Sequence, residues 1–181
     1  GNDGGGGGGG GGGGSEWMAT ALQRLPPPYE PPERLAAFLA ECDEADQRAV
    51  YVGFGSITGI PDPDKFIDAV LEGIRLSGQR VVLLSGWAKI GEGHSLPPNV
   101  HALASVPHDW LFPKMAAVCH HGGAGTLAAG LRCGRPTLVC AFFGDQFHWG
   151  QCVERLGVGA SLAAKDVAAK EFGDALRRVA T

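Results

Sequence analysis

Two adjacent histidines run into a glycine-rich stretch, His120-His121-Gly122-Gly123-Ala124-Gly125-Thr126. Glycine lets a backbone turn tightly and approach a ligand closely. A helix that starts inside this stretch aims its free N–H groups and the positive end of its dipole at the turn, which suits a phosphate group. Thr126 adds a hydroxyl. His121 adds an imidazole N–H, or a charge if protonated. A packing-driven turn would explain the glycines, but two histidines at the end of an apolar strand are costly to bury without partners.

Two further loops have similar promise. Gly53-Phe54-Gly55-Ser56 follows an apolar run, and Ser56 with its backbone N–H could meet the same phosphates. Phe142-Phe143-Gly144-Asp145-Gln146 ends in a carboxylate beside an amide. Asp accepts hydrogen bonds and Gln both donates and accepts, a pairing suited to a polyhydroxylated ligand. Asp145 could equally cap the helix that follows. Phosphate binding at one loop and hydroxyl binding at the next suggest a nucleotide-sugar. A dinucleotide stays open, because Gly123-x-Gly125-x-x-Ala128 followed by Asp145 fits the spacing of that fingerprint. Gly53-x-Gly55-x-x-Thr58 fits it less well. Trp87, in the loop Ser85-Gly86-Trp87, could line a pocket. His94, His101 and His148 have no evident catalytic partner in the sequence, and Trp110 and Trp149 read as packing residues.

These loops must be held by a regular frame, and the hydrophobic pattern supplies one. Short apolar strands are expected at 49–54, 80–84, 100–103, 116–119, 137–141 and 160–162. Helical periodicity covers 33–41, 64–76, 109–115, 123–132, 146–156 and 165–179. Alternating strands and helices predict an α/β fold, a doubly wound parallel sheet with helices on both faces. Ligands of such sheets bind beyond the carboxyl ends of the strands, where all three loops emerge.

Composition narrows the function classes. The chain has 181 residues, 44% hydrophobic and 19% charged, with a net charge of −4. That is enough apolar material for one ordinary domain and gives no electrostatic footprint for nucleic acid. No apolar run approaches a membrane span, and no signal peptide is visible. Much of the glycine total of 30 lies in the unbroken run 4–14, which reads as flexible coil. Pro-rich residues 25–32 read as an extended linker. Residues 1–32 are therefore taken as a disordered segment and linker, and 33–181 as the domain. Five cysteines without metal-ligand spacing point to a reducing compartment and no metal, with four of them expected among core residues. The Walker and nucleophile-elbow motifs are missing.

The stretch from His120 to Thr126, with Gly134-x-Pro136 and Phe142-Phe143-Gly144-Asp145-Gln146, resembles the donor-binding signature of family 1 UDP-glycosyltransferases. Tyr51-Val52-Gly53-Phe54-Gly55-Ser56, Gly86-Trp87, Pro107-His108-Asp109-Trp110-Leu111-Phe112 and Asp145-Gln146-Phe147-x-Trp149-Gly150 are similar to the sterol 3-beta-glucosyltransferase branch. The likeness spans about residues 31 to 162. It implies the Rossmann-like C-terminal half of a GT-B enzyme. His121, Gly123, Gly125 and Thr126 would bind the diphosphate, with Gly55 and Ser56 closing on it. Asp145 and Gln146 would hold the glucose hydroxyls. The Val106 backbone and His108 would lie at the uracil, with Trp87 near that end. Ser105 stands where plant-type signatures carry a tryptophan that stacks on uracil.

The resemblance further implies UDP-glucose as co-substrate, no cofactor and no metal. A sterol or other lipid hydroxyl would accept the sugar with inversion, through an N-terminal domain that also carries the catalytic base. No catalytic residue is expected in this chain, and alone it would be inactive. The expected location is cytoplasmic, with peripheral membrane contact left open. The competing reading is a free-standing nucleotide- or dinucleotide-binding module without transferase activity.

Overall fold

The structure, a computed structural model, describes residues 28–55, 62–85 and 95–181. The glycine run, Ser56, Thr58, Trp87 and His94 lie outside the described residues. Residues 31–181 form one unit.

Six strands make a single, wholly parallel sheet. They are β1 (Val50–Val52), β2 (Val81–Leu84), β3 (Val100–Leu103), β4 (Val118–His120), β5 (Thr137–Ala141) and β6 (Gly159–Ala163), in the order β3-β2-β1-β4-β5-β6. β1 and β2 are apolar on both sides, as strands covered on two faces must be. The order reverses between β1 and β4, which pair directly. The loops after those two strands therefore flank the crevice where α/β sheets bind ligands.

The helices are α1 (Glu33–Glu44), α2 (Pro63–Ser77), α3 (His108–Leu111), α4 (Ala124–Arg132), α5 (Gln146–Arg155) and α6 (Ala169–Ala180). The chain begins α2 where Asp62 accepts a hydrogen bond from the Lys65 N–H at 3.1 Å and Pro63 presets the first turn. Gly78, left-handed at φ +68°, ends it. Between them Phe66, Ile67, Val70, Leu71 and Ile74 form one buried stripe. That stripe packs with Phe172, Leu176 and Val179 of α6 against Val50, Val52, Leu83, Cys119, Leu138 and Cys140 of the sheet. Each fully buried aliphatic or aromatic side chain here contributes about 1.5–3 kcal/mol. The opposite face carries Tyr51, His120 and Val139, and Val139 packs with Leu127 of α4 and Val153 of α5.

α2 and α6 approach closely because each has a glycine at the crossing. A Cβ on Gly73 would lie 2.7 Å from the Ala169 carbonyl, and one on Gly173 2.7 Å from the Gly73 carbonyl. Arg177 Nη1 closes the contact on the Leu76 carbonyl at 2.7 Å.

Several expectations needed correction. The helix read over 109–115 is a single turn, α3, followed by a 3-10 turn at Phe112–Lys114. Pro113 supplies no N–H and cannot continue an α-helix. The helix read over 165–179 is likewise a 3-10 turn, Ala164–Asp166, followed by α6, with extended Val167 between them. β4 sits later than 116–119 and takes in His120, which pairs with Val139. Three cysteines, not four, are buried: Cys42, Cys119 and Cys140. Cys133 and Cys152 are half-exposed: Cys133 is the C-cap of α4, and Cys152 lies on the outer side of α5 against the exposed His148 and Arg155.

Candidate functional site

The turn after β4 is built around the His121 ring. Gly55, at the end of the β1 loop with φ +66°, sits on one side; a Cβ there would lie 3.1 Å from His121 Cε1. On the other side, a Cβ on Gly123 would run into His121 Nε2. The two glycines thus leave a slot for an imidazole across the β1–β4 seam. Gly122 turns the chain at φ +92° against Val139 and Gln146.

α4 begins immediately after this slot. Gly123 is its N-cap and no side chain caps it. The Leu127 N–H is bonded to the Gly123 carbonyl at 3.0 Å, so the N–H groups of Ala124, Gly125 and Thr126 have no partner inside the helix. A Cβ on Gly125 would meet open space. Beside these donors, His121 Nδ1 is buried and has no hydrogen-bond partner among the described residues. Burial holds the His121 pKa below its ordinary value, with Asp145 pulling the other way, so the ring is neutral near pH 7.

His120 differs from its neighbour. It is fully buried in the sheet, and its Nδ1 accepts the Gly122 N–H at 2.9 Å. Burial, aided by His121 and His108, pushes its pKa down to about 3. The ring is therefore neutral and carries its proton on Nε2, which has no partner among the described residues.

The third loop is braced by its own side chains. Gln146 is buried, and its Oε1 accepts the N–H groups of Phe142 and Phe143 at 2.8 and 3.2 Å. That leaves its Nε2 amide for a ligand. Asp145 is exposed and does not cap α5 with its side chain. Its Oδ2 accepts the Trp149 Nε1–H at 3.0 Å, and the carboxylate keeps free acceptor capacity. Asp145 thus stands at the N-cap position of α5, as one reading expected, but its carboxylate is oriented by Trp149 instead of capping the helix.

An open depression of about 400 Å³ is lined by Val106, His108, Asp109, Ala129, Arg132 and Cys133. Val106 and His108, expected near one another, do meet there. Burial lowers the His108 pKa, partly offset by Asp109. The structure thus brings Gly55, His121, Gly123 and Thr126 to one crevice, with Asp145 acting on His121, and places Val106 and His108 in the neighbouring depression. Ser56 and Trp87 lie outside the described residues. Tyr51, which bonds His108, was not expected; its 57-residue separation from that partner left no local signal. Among the described residues, no group of His, Cys, Asp or Glu could hold a metal ion, and no helix is long and apolar enough to cross a membrane.

The family profile described as "Erythromycin biosynthesis protein CIII-like, C-terminal domain" matches residues 74–181. The chain belongs to this family. Such CIII-like domains are C-terminal halves of family 1 GT-B glycosyltransferases, in line with the motif resemblance. The chain is 44% identical over 133 residues to a sterol 3-beta-glucosyltransferase of Arabidopsis thaliana, covering 74% of this chain and 20% of that protein. It is 39% identical over 155 residues to one of Candida albicans, covering 82% of this chain and 10% of that protein. The chain thus spans a fifth or less of these relatives. Arabidopsis thaliana UGT89C1 superposes with a TM-score of 0.68 at 21% identity, over 92% of this chain and 45% of that one. Glycosyltransferase VinC, solved in complex with DTDP, superposes at 0.60 with 26% identity, over 75% of this chain and 34% of that one. The CIII-like domain therefore shares the GT-B fold, and its relatives support a nucleotide-sugar donor-binding role.

Proposed function

We propose that this domain binds UDP-glucose and presents it for inverting transfer to a sterol or other lipid hydroxyl, together with an N-terminal acceptor domain. The observation that carries this reading is the buried, unpartnered His121 Nδ1 beside the open first turn of α4. A diphosphate there would accept from the Ala124, Gly125 and Thr126 N–H groups and from His121. Asp145 and the Gln146 amide would receive the sugar hydroxyls one loop away.

In a direct displacement the acceptor oxygen attacks the anomeric carbon as the bond to the diphosphate oxygen breaks. Negative charge then grows on the leaving diphosphate. Fixed N–H donors and a helix N-terminus stabilise that charge without reorganising, and a positioned imidazole adds to this. The base that takes the proton of the acceptor hydroxyl would belong to the acceptor domain, as the family resemblance implies. Names of the relatives support the sugar and the sterol; the donor-loop geometry supports the diphosphate.

Calorimetric titration of the chain with UDP-glucose, UDP and NADH tests this. Saturable UDP binding is expected, lost in His121→Ala, with UDP-glucose also weakened by Asp145→Ala. NADH binding without UDP binding would instead favour the dinucleotide module.

A further inference from the structure

Tyr51 carries a hydroxyl into the interior of the sheet, where a phenylalanine would pack as well. It is 2% exposed, and its Oη lies 3.0 Å from His108 Nε2. Both rings pack on Phe112: His108 stacks on it at 4.4 Å and 14°, and Tyr51 meets it edge-on at 4.9 Å. Gly53 makes room for the hydroxyl, since a Cβ there would run into Tyr51 Oη. Residues 51, 53 and 120 share one face of the sheet through the β1–β4 register, so the Nε2–H of His120 is on the same face as this hydroxyl.

The proton positions follow from what each group can do. A buried phenol has one proton to give, and the only partner of Tyr51 Oη among the described residues is His108 Nε2. If Nε2 carried the proton, the phenol O–H would be buried without an acceptor, and an unsatisfied buried donor is disfavoured. If the phenol donates, Nε2 accepts and the proton of the neutral ring must sit on Nδ1. Nδ1 diverges from Nε2 across the ring, and His108 lines the open depression.

We propose that Tyr51 is a positioning residue: its hydroxyl holds His108 in the Nδ1–H tautomer, so the depression offers a fixed N–H donor to a nucleoside oxygen. The oxygen is a base carbonyl or a ribose hydroxyl, and its assignment rests on the donor-site reading above. The device gives the site a directional requirement. A ligand presenting an amine at this position would meet a donor where it needs an acceptor.

The tautomer is read directly from long-range ¹H–¹⁵N correlation spectra of the labelled chain without ligand. Wild type is expected to show His108 protonated at Nδ1. Tyr51→Phe, which keeps the ring packing on Phe112, is expected to shift the ring towards the Nε2–H form. UDP affinity should fall about five- to tenfold in Tyr51→Phe, as loss of one oriented hydrogen bond implies. The same change in a His108→Ala background should cost less than about twofold, since the two residues then no longer couple. Uridine and 2′,3′-dideoxyuridine diphosphate distinguish the two oxygens: the coupling disappears with the dideoxy ligand if ribose is the acceptor. His108 protonated at Nε2 in wild type, or an undiminished Tyr51→Phe effect without His108, would overturn the proposal. Failure of wild type to bind UDP would overturn the donor-site reading instead, while the spectrum still decides whether Tyr51 holds the tautomer.

Discussion

A single missing carbon defines the candidate phosphate site. Because a Cβ on Gly123 would run into His121 Nε2, Gly123→Ala must push the ring out of its slot. Since the backbone at 123 is extended rather than left-handed, the fold tolerates the change. UDP affinity is expected to drop at least about tenfold with little change in melting temperature, comparable to loss of a charge-assisted hydrogen bond; calorimetry and thermal unfolding measure the two separately. The buried partner histidine makes a different prediction. His120 has a pKa of about 3 when folded, against 6.5 ordinarily. The unfolded chain therefore binds a proton that the folded chain refuses. The stability that the neutral ring allows is complete above pH 6.5 and is lost as pH falls towards about 3. Urea unfolding over a pH series should show this decline already above the carboxylate range. His120→Asn, whose Oδ1 can still accept the Gly122 N–H, should flatten it; an equal slope in both would show that other groups titrate. At this scale the sequence was partly legible. The histidine pair stood out by type and by position after a strand, and glycine content marked the turn. Nothing in it separated the roles of the two rings, because that depends on which ring the sheet buries. The chemistry of Gln146 suits a sugar ligand, while its Oε1 braces the loop backbone, a contact set by the loop's three-dimensional path that no local pattern announces.

At the scale of elements, α4 matters for its uncapped start. Gly125 lies in its first turn with open space around its Cβ position. A carboxylate placed there interacts favourably with the helix dipole, by about 0.3–1 kcal/mol, and replacing glycine removes an unfolded-state freedom. Gly125→Asp is therefore expected to melt no lower than wild type, yet to lose UDP binding through charge repulsion. A variant that melts higher and still binds UDP normally would remove this helix start from the site. Elements themselves were largely readable. β3 and β5 match their expected spans, and α2 matches within a residue at each end, because apolar periodicity and end signals agree there. Expectations failed where proline interrupts a short helix at Pro113 and where the approach to α6 needs a turn before the helix can dock. Both are set by packing and backbone restriction rather than by hydrophobic period.

For the whole domain, the crossing of α2 and α6 is the joint most exposed to a small change. A Cβ on Gly73 would meet the Ala169 carbonyl and Phe172 at once, so Gly73→Ala must separate the two helices. Overpacking of this kind costs about 1–3 kcal/mol. Urea unfolding should show that loss, with a UDP site that is unchanged in the folded fraction, since the crossing lies on the sheet face opposite α4. The fold class was readable from the alternation of strands and helices, and the strand order was not, because nothing local states which strands are neighbours. The same crossing also bears on how the domain reaches its structure. Arg177 and Leu76, joined there, are 101 positions apart. Few of the contacts that complete this core can form between near neighbours along the chain, and closing so long a loop precedes any gain from it. The apolar stripe of α2 therefore stays uncovered until α6 arrives, and it is in that interval that a binding partner for the stripe would protect it from aggregation.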